Sequence, residues 1–148
     1  MYDFVDRPVG QLQPGGRLLL WSMRRWIHAA SQKSCPPGAL APAFARHGVL
    51  PALPHVHALL AELNHQARRK ISLSPLAHQM IEDDEAVLLQ LCRDADRDPP
   101  RAKATLALLL DEEAIGPAFS ALLNAVARFR DAGLGNVAMM PDGIADAR

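Results

Sequence analysis

Cysteine, aromatic residues and net charge are all scarce in this chain, and each scarcity excludes something. The two cysteines, Cys35 and Cys92, form no CxxC spacing, so no secreted disulfide framework is expected and a reduced cytoplasmic setting is. No run reaches the ~18 apolar residues that a membrane-spanning helix needs. The N-terminus has the wrong order for a secretory signal, with Asp3 and Asp6 before the apolar segment and Arg24-Arg25 after it. A formal net charge of zero is unlike the basic surplus of most nucleic-acid-binding domains. Valine, isoleucine and aromatics are few while alanine and leucine abound, which favours helix over strand. No GxSxG, no phosphate-cradling glycine loop and no paired catalytic signature occurs, so an enzyme is not the favoured class.

What is present fits one soluble globular domain, 49% hydrophobic and 22% charged over 148 residues. The chain is organised around Leu18 to Ala30, LLLWSMRRWIHAA. At about 100° per residue, Leu19, Leu20, Met23, Trp26, Ile27 and Ala30 fall on one stripe, the core face of an amphipathic helix. Trp21 falls nearly opposite, beside Leu18, Arg17, Arg24, Arg25 and His28. That outer face is expected to meet an N-terminal arm, a second subunit or partner, or solvent.

The periodicity predicts an all-α fold, a single-domain bundle of about five main helices plus one short helix. Residues 1–16, with Pro8, Pro14 and three glycines, are expected to form an irregular arm that packs Tyr2 and Phe4 on the domain, with Phe4 or Val9 available to cover Trp21. The bundle spans 17–135. Its first helix runs from Arg17 to Ser31 and is broken by Ser34-Cys35-Pro36-Pro37-Gly38; a short one follows from Ala39 to His47, closed by Gly48. The next extends to Lys70, so that Arg68-Arg69-Lys70 complement its C-terminal dipole. Ile71 to Pro75 is extended and a loop follows to Ile81. Glu82 then caps a helix with Glu85 in capping-box position, Asp98-Pro99-Pro100 starts another that ends near Asp111, and Gly116-Pro117 opens the last, closed by Gly133-Leu134. Residues 136–148 carry no pattern and are expected to form a loose tail.

Six histidines invite a metal reading, but His55 and His57 point about 160° apart on a helix and no carboxylate completes a set. His57 and Asn64 flank the apolar stripe as boundary residues that need hydrogen-bond partners. Cys35 lies in a loop and Cys92 on a core stripe, where cysteine acts as a small hydrophobe. No metal, cofactor or catalytic residue is expected. The zero net charge conceals a division: residues 1–80 carry nine Lys/Arg against three Asp/Glu, and residues 81–148 carry seven against thirteen. Such a split joins two halves of one domain, steers one molecule onto another, or presents a basic face to an anionic partner.

The segments LLLWSMRRW, ARRK and EDDEAVLLQL resemble a family of short uncharacterised bacterial helical proteins, over about residues 17–132. The resemblance implies a bacterial origin and assigns no activity and no catalytic residues. The expected function is therefore that of a small non-enzymatic interaction or regulatory protein, self-associating or binding a protein partner through Leu18, Trp21, Arg17, Arg24, Arg25 and His28. The alternative is an anion-binding module for nucleic acid or a phosphorylated ligand, built on arginines of the first two long helices. A metal- or small-ligand-binding protein or enzyme comes third.

Overall fold

Proline stands at the first or second position of four of the six helices in the computed structural model, which describes residues 3–141. A proline there gives up an N–H that has no intrahelical partner anyway, and its fixed φ suits the first turn. The helices are α1 (Pro14–Ser31), α2 (Pro36–Arg46), α3 (Leu53–His65), α4 (Asp83–Arg97), α5 (Pro99–Leu109) and α6 (Glu112–Asp131). Single 3₁₀ turns cover Val9–Gln11 and Leu50–Ala52. The all-α bundle expected from composition is what forms, and no β-strand occurs among the described residues.

Several boundaries differ from the periodicity for one reason: proline and glycine are helix starters or helix members here rather than breakers. α1 begins at Pro14, before Arg17, and takes Gly15 and Gly16 into its first turn. α2 begins at Pro36, inside the supposed breaker. α6 begins at Glu112, after Asp111, and carries Pro117 within it. Pro42 and Pro117 both lie on exposed faces, where water can take up the carbonyl that each proline leaves without a donor. Gly48 and Gly133 end their helices as expected, with φ of +69° and +78°.

The largest departure is at the end of α3, which stops at His65 instead of Lys70. Backbone pairing takes over there: Arg68 N donates to Leu109 O at 2.9 Å and Asp111 N to Gln66 O at 3.1 Å. The basic triplet 68–70 therefore belongs to an irregular strap, residues 66–82, that runs from α3 to α4. The helix-dipole reading of that triplet does not hold.

The core is continuous. α6 packs most extensively on α3, α4 on α5, and α1 on α2. On α6 the buried face is built from Ala114, Ala118, Leu122, Ala125, Val126 and Phe129, alanine allowing close approach and Phe129 meeting Phe44 of α2 edge to face at 6.0 Å. Both ends of the described stretch are tied in. Phe4 is fully buried under the Arg93 guanidinium, 4.8 Å from its ring centre, so it covers α4 and not Trp21. Asp6 N donates to Ile81 O and Val9 N to Gln79 O, which lays the N-terminal segment along the end of the strap. At the other end Gln13 N donates to Ala138 O at 2.9 Å, and Val137 and Met140 are buried. The stretch 136–141 is thus packed rather than loose; Tyr2 and 142–148 lie outside the described residues.

Gly15 shows how closely that C-terminal segment approaches. A Cβ at Gly15 would stand 1.8 Å from the Leu134 carbonyl oxygen, whereas one at Gly116 would meet nothing within 4 Å. Gly15→Ala is therefore expected to destabilise the fold by about 1–3 kcal/mol through overpacking. Gly116→Ala, at an exposed helical position, is expected to stabilise it by about 0.5–1 kcal/mol. Thermal unfolding followed by circular dichroism reads both signs, and an unharmed Gly15→Ala protein would refute the close approach.

Candidate functional site

The outer face of α1 divides in the folded chain. Leu18 is buried, Trp21 and Arg25 are half-buried, and Arg17 and His28 are exposed. Arg24 is the departure: it is 3% exposed. Its Nε donates to Glu85 Oε2 at 2.7 Å and its Nη2 to Glu85 Oε1 at 2.8 Å. The same guanidinium donates to His78 O at 2.7 Å and Met80 O at 3.0 Å. Arg24 thus looks inward, away from Trp21, and cannot serve a partner.

Glu85 occupies the third position of α4 and completes the set. Its Oε1 accepts the Glu82 N–H at 3.0 Å, the expected capping-box bond, and its Oε2 accepts Ser74 N–H at 3.0 Å. Each carboxylate oxygen holds two donors. Burial pushes the Glu85 carboxyl upward, but the Arg24 hydrogen bonds, the Glu82 and Ser74 N–H groups and the Arg24 charge outweigh it and hold the group below its ordinary range. Next to it, Asp84 is held low mainly by its hydrogen bond to Arg69, at 2.8 Å, with burial opposing and the Ser72 N–H assisting. A pair so fully engaged is a clamp on the strap, with no lone pair left over for proton transfer to a substrate.

Cys92 and His57 are also committed. Cys92 is buried, and burial pushes its thiol up to about 12, which leaves no thiolate for nucleophilic attack near neutrality. His57 accepts the Trp26 indole N–H at its Nδ1, 3.0 Å away, the partner that its boundary position called for. Among the described residues no three His, Cys, Asp or Glu side chains converge to hold a metal ion. Nor is any described helix long and apolar enough to cross a membrane. Of the basic triplet, Arg68 donates to Leu110 O at 3.0 Å and Arg69 pairs with Asp84.

What remains open on α1 is a groove against α2. Arg17, Leu18 and Trp21 line it from one side, with Pro14 below; Ala43, Arg46 and His47 line it from the other, around a volume of about 410 Å³. In the folded chain the end of α2 flanks Trp21 across this groove. His47 is held by its Nδ1–H, which donates to Ala43 O at 2.8 Å. Arg17 and Arg46 are exposed and form no ion pair with any described residue. No carboxylate lines the groove. Arg17, Leu18 and Trp21 are thus brought together; Arg24, Arg25 and His28 lie outside the lining. Arg46 and His47 are additions that α1 alone could not reveal, although two basic residues at the end of a short helix are a visible signal. Comparison with protein-family models, with curated proteins and with solved structures gave no match.

The clamp makes two predictions. Arg24→Ala leaves a buried carboxylate without its partner and is expected to cost about 3–5 kcal/mol, while the double change Arg24→Met/Glu85→Met costs less than Arg24→Ala alone; chemical denaturation of the three proteins checks the order. Because the folded carboxyls of Asp84 and Glu85 sit below their unfolded values, their contribution is complete above about pH 5 and is lost as pH falls through the folded values. Unfolding midpoints across pH 2–7 should drop on the acid side in the native chain, and drop less in a Glu85→Gln protein that starts from a lower midpoint at neutrality.

Proposed function

We propose that this protein acts by binding rather than by chemistry, as a small helical interaction or regulatory module, and that its contact surface is the α1–α2 groove around Trp21. The supporting observation is the pairing of a half-exposed tryptophan with cations of one sign and no lining carboxylate. Tryptophan and arginine are the residue types that most often carry binding energy at protein interfaces. A one-signed rim raises association rates for an oppositely charged partner. The partner that this chemistry recognises is an acidic protein segment with an apolar side chain to set against Trp21.

The same charge argues against a twofold dimer closed on this face. Twofold symmetry sets a patch against itself, which would bring Arg17 and Arg46 towards their own copies. A head-to-tail contact with the acidic half of a second copy builds a ring or an open chain, according to whether its rotation closes. A different protein is the better occupant. The free thiols Cys35 and Cys92 fit a reducing cytoplasm for this encounter.

The experiment uses a fluorescein-labelled Asp/Glu-rich peptide with one central leucine, titrated by anisotropy at low and moderate salt. Saturable, salt-sensitive binding is expected, weakened about tenfold or more by Trp21→Ala and by Arg17→Glu/Arg46→Glu. Absence of saturable binding, or binding indifferent to both variants, overturns the proposal. Tighter binding of a labelled oligothymidine to the same residues replaces it with the nucleic-acid reading. A concentration-dependent dimer in light scattering that Trp21→Ala abolishes replaces it with self-association.

A further inference from the structure

On the opposite flank of α1 the strap closes over a cavity that neither the clamp nor the groove uses. Its volume is about 190 Å³. Met23 and Trp26 of α1, Leu60 and Leu63 of α3, Leu88 of α4 and Leu73 of the strap are among the residues that line it. Of the eleven lining residues, nine are apolar and the two polar ones are Asn64 and Lys70. Lys70 is the only charged residue in the lining, and it forms no ion pair with any described residue.

We infer that this cavity is a binding site for a small monoanion with an apolar body, an aryl or medium-chain carboxylate. Size sets the first half of that description, since a dry apolar cavity of about 150 Å³ accepts a benzene ring. Chemistry sets the second. A hydrophobic pocket with a few placed polar groups is the usual form of a small-molecule site, and here the single charge is the exposed Lys70, with Asn64 as the one other polar residue of the lining. The Trp26 N–H is already given to His57, so the indole offers the ligand only its apolar surface. The wall is pre-formed. Arg69 and the Ser72 N–H are held by Asp84, and the Ser74 N–H by Glu85, so the strap need not be ordered when the ligand enters.

The site is tested in a Trp21→Phe protein, which leaves Trp26 as the one tryptophan and as a reporter in the cavity lining. Phenylacetate, phenylacetamide and phenethylamine are titrated in turn, as anion, neutral isostere and cation. Saturable quenching by phenylacetate is expected with a Kd on the order of a millimolar. The anion should be preferred over the neutral isostere by about two- to fivefold, the scale of one solvated ion pair. Lys70→Glu should invert the charge preference and leave the phenylacetamide affinity in place. Ala67→Phe, which fills the cavity from the strap, should remove all three responses while the helical circular dichroism signal persists; Ile71→Phe is the second filling variant. Quenching that does not saturate, a charge order untouched by Lys70→Glu, or binding that survives both filling variants overturns the inference. With Trp21 replaced the fluorescence reports on Trp26 in the cavity lining and the filling variants leave the groove untouched, so the outcome is independent of the acidic-partner proposal.

Discussion

One buried ion pair holds the irregular strap of this molecule to its helices. Arg24 on α1 and Glu85 on α4 are 3% and 0% exposed, and together they engage His78 O, Met80 O, and the N–H groups of Ser74 and Glu82. A charge pair removed from water carries a desolvation cost that its mutual attraction offsets only when the remaining donors and acceptors are also satisfied. Here they are satisfied largely by backbone groups of the strap. The strap, which has no helix or strand of its own, takes its shape from that requirement.

The consequence reaches both proposed binding surfaces. The strap walls the apolar cavity, and Asp84 and Glu85 hold it there from the first turn of α4. Withdrawing Arg24 from the outer face of α1 also decides what is left outside: Arg17 and Trp21, closed in by the end of α2. A single inward-turned arginine thus separates a structural face from an open face on the same helix.

Local chemistry carried much of this. The all-α class followed from an alanine- and leucine-rich composition, and the core stripe of α1 was legible because burial at 3.6-residue spacing leaves a mark on sequence. So did the capping box at Glu82 and Glu85, the glycine stops at Gly48 and Gly133, and the proline start at Pro99, all of which are satisfied within a few residues. The prolines and glycines at 14–16, 36–37 and 116–117 misled, because the same residue that breaks a helix interior begins a helix well, and only the surroundings choose.

Sequence by itself determined that the chain is a helical bundle, where most of its cores lie and that Trp21 stands apart from the main stripe of its helix. Tertiary structure alone decided that Arg24 turns inward, that the 68–70 triplet leaves the helix, that Phe4 serves α4, and that α2 flanks Trp21. The physical reason is the range of the forces involved. Periodicity and capping act over three or four residues, whereas Arg24 and Glu85 meet across 61 residues of chain and Ala67 pairs with Leu110. Whether an arginine is a surface charge or a buried clamp depends on a carboxylate that no local pattern brings near it.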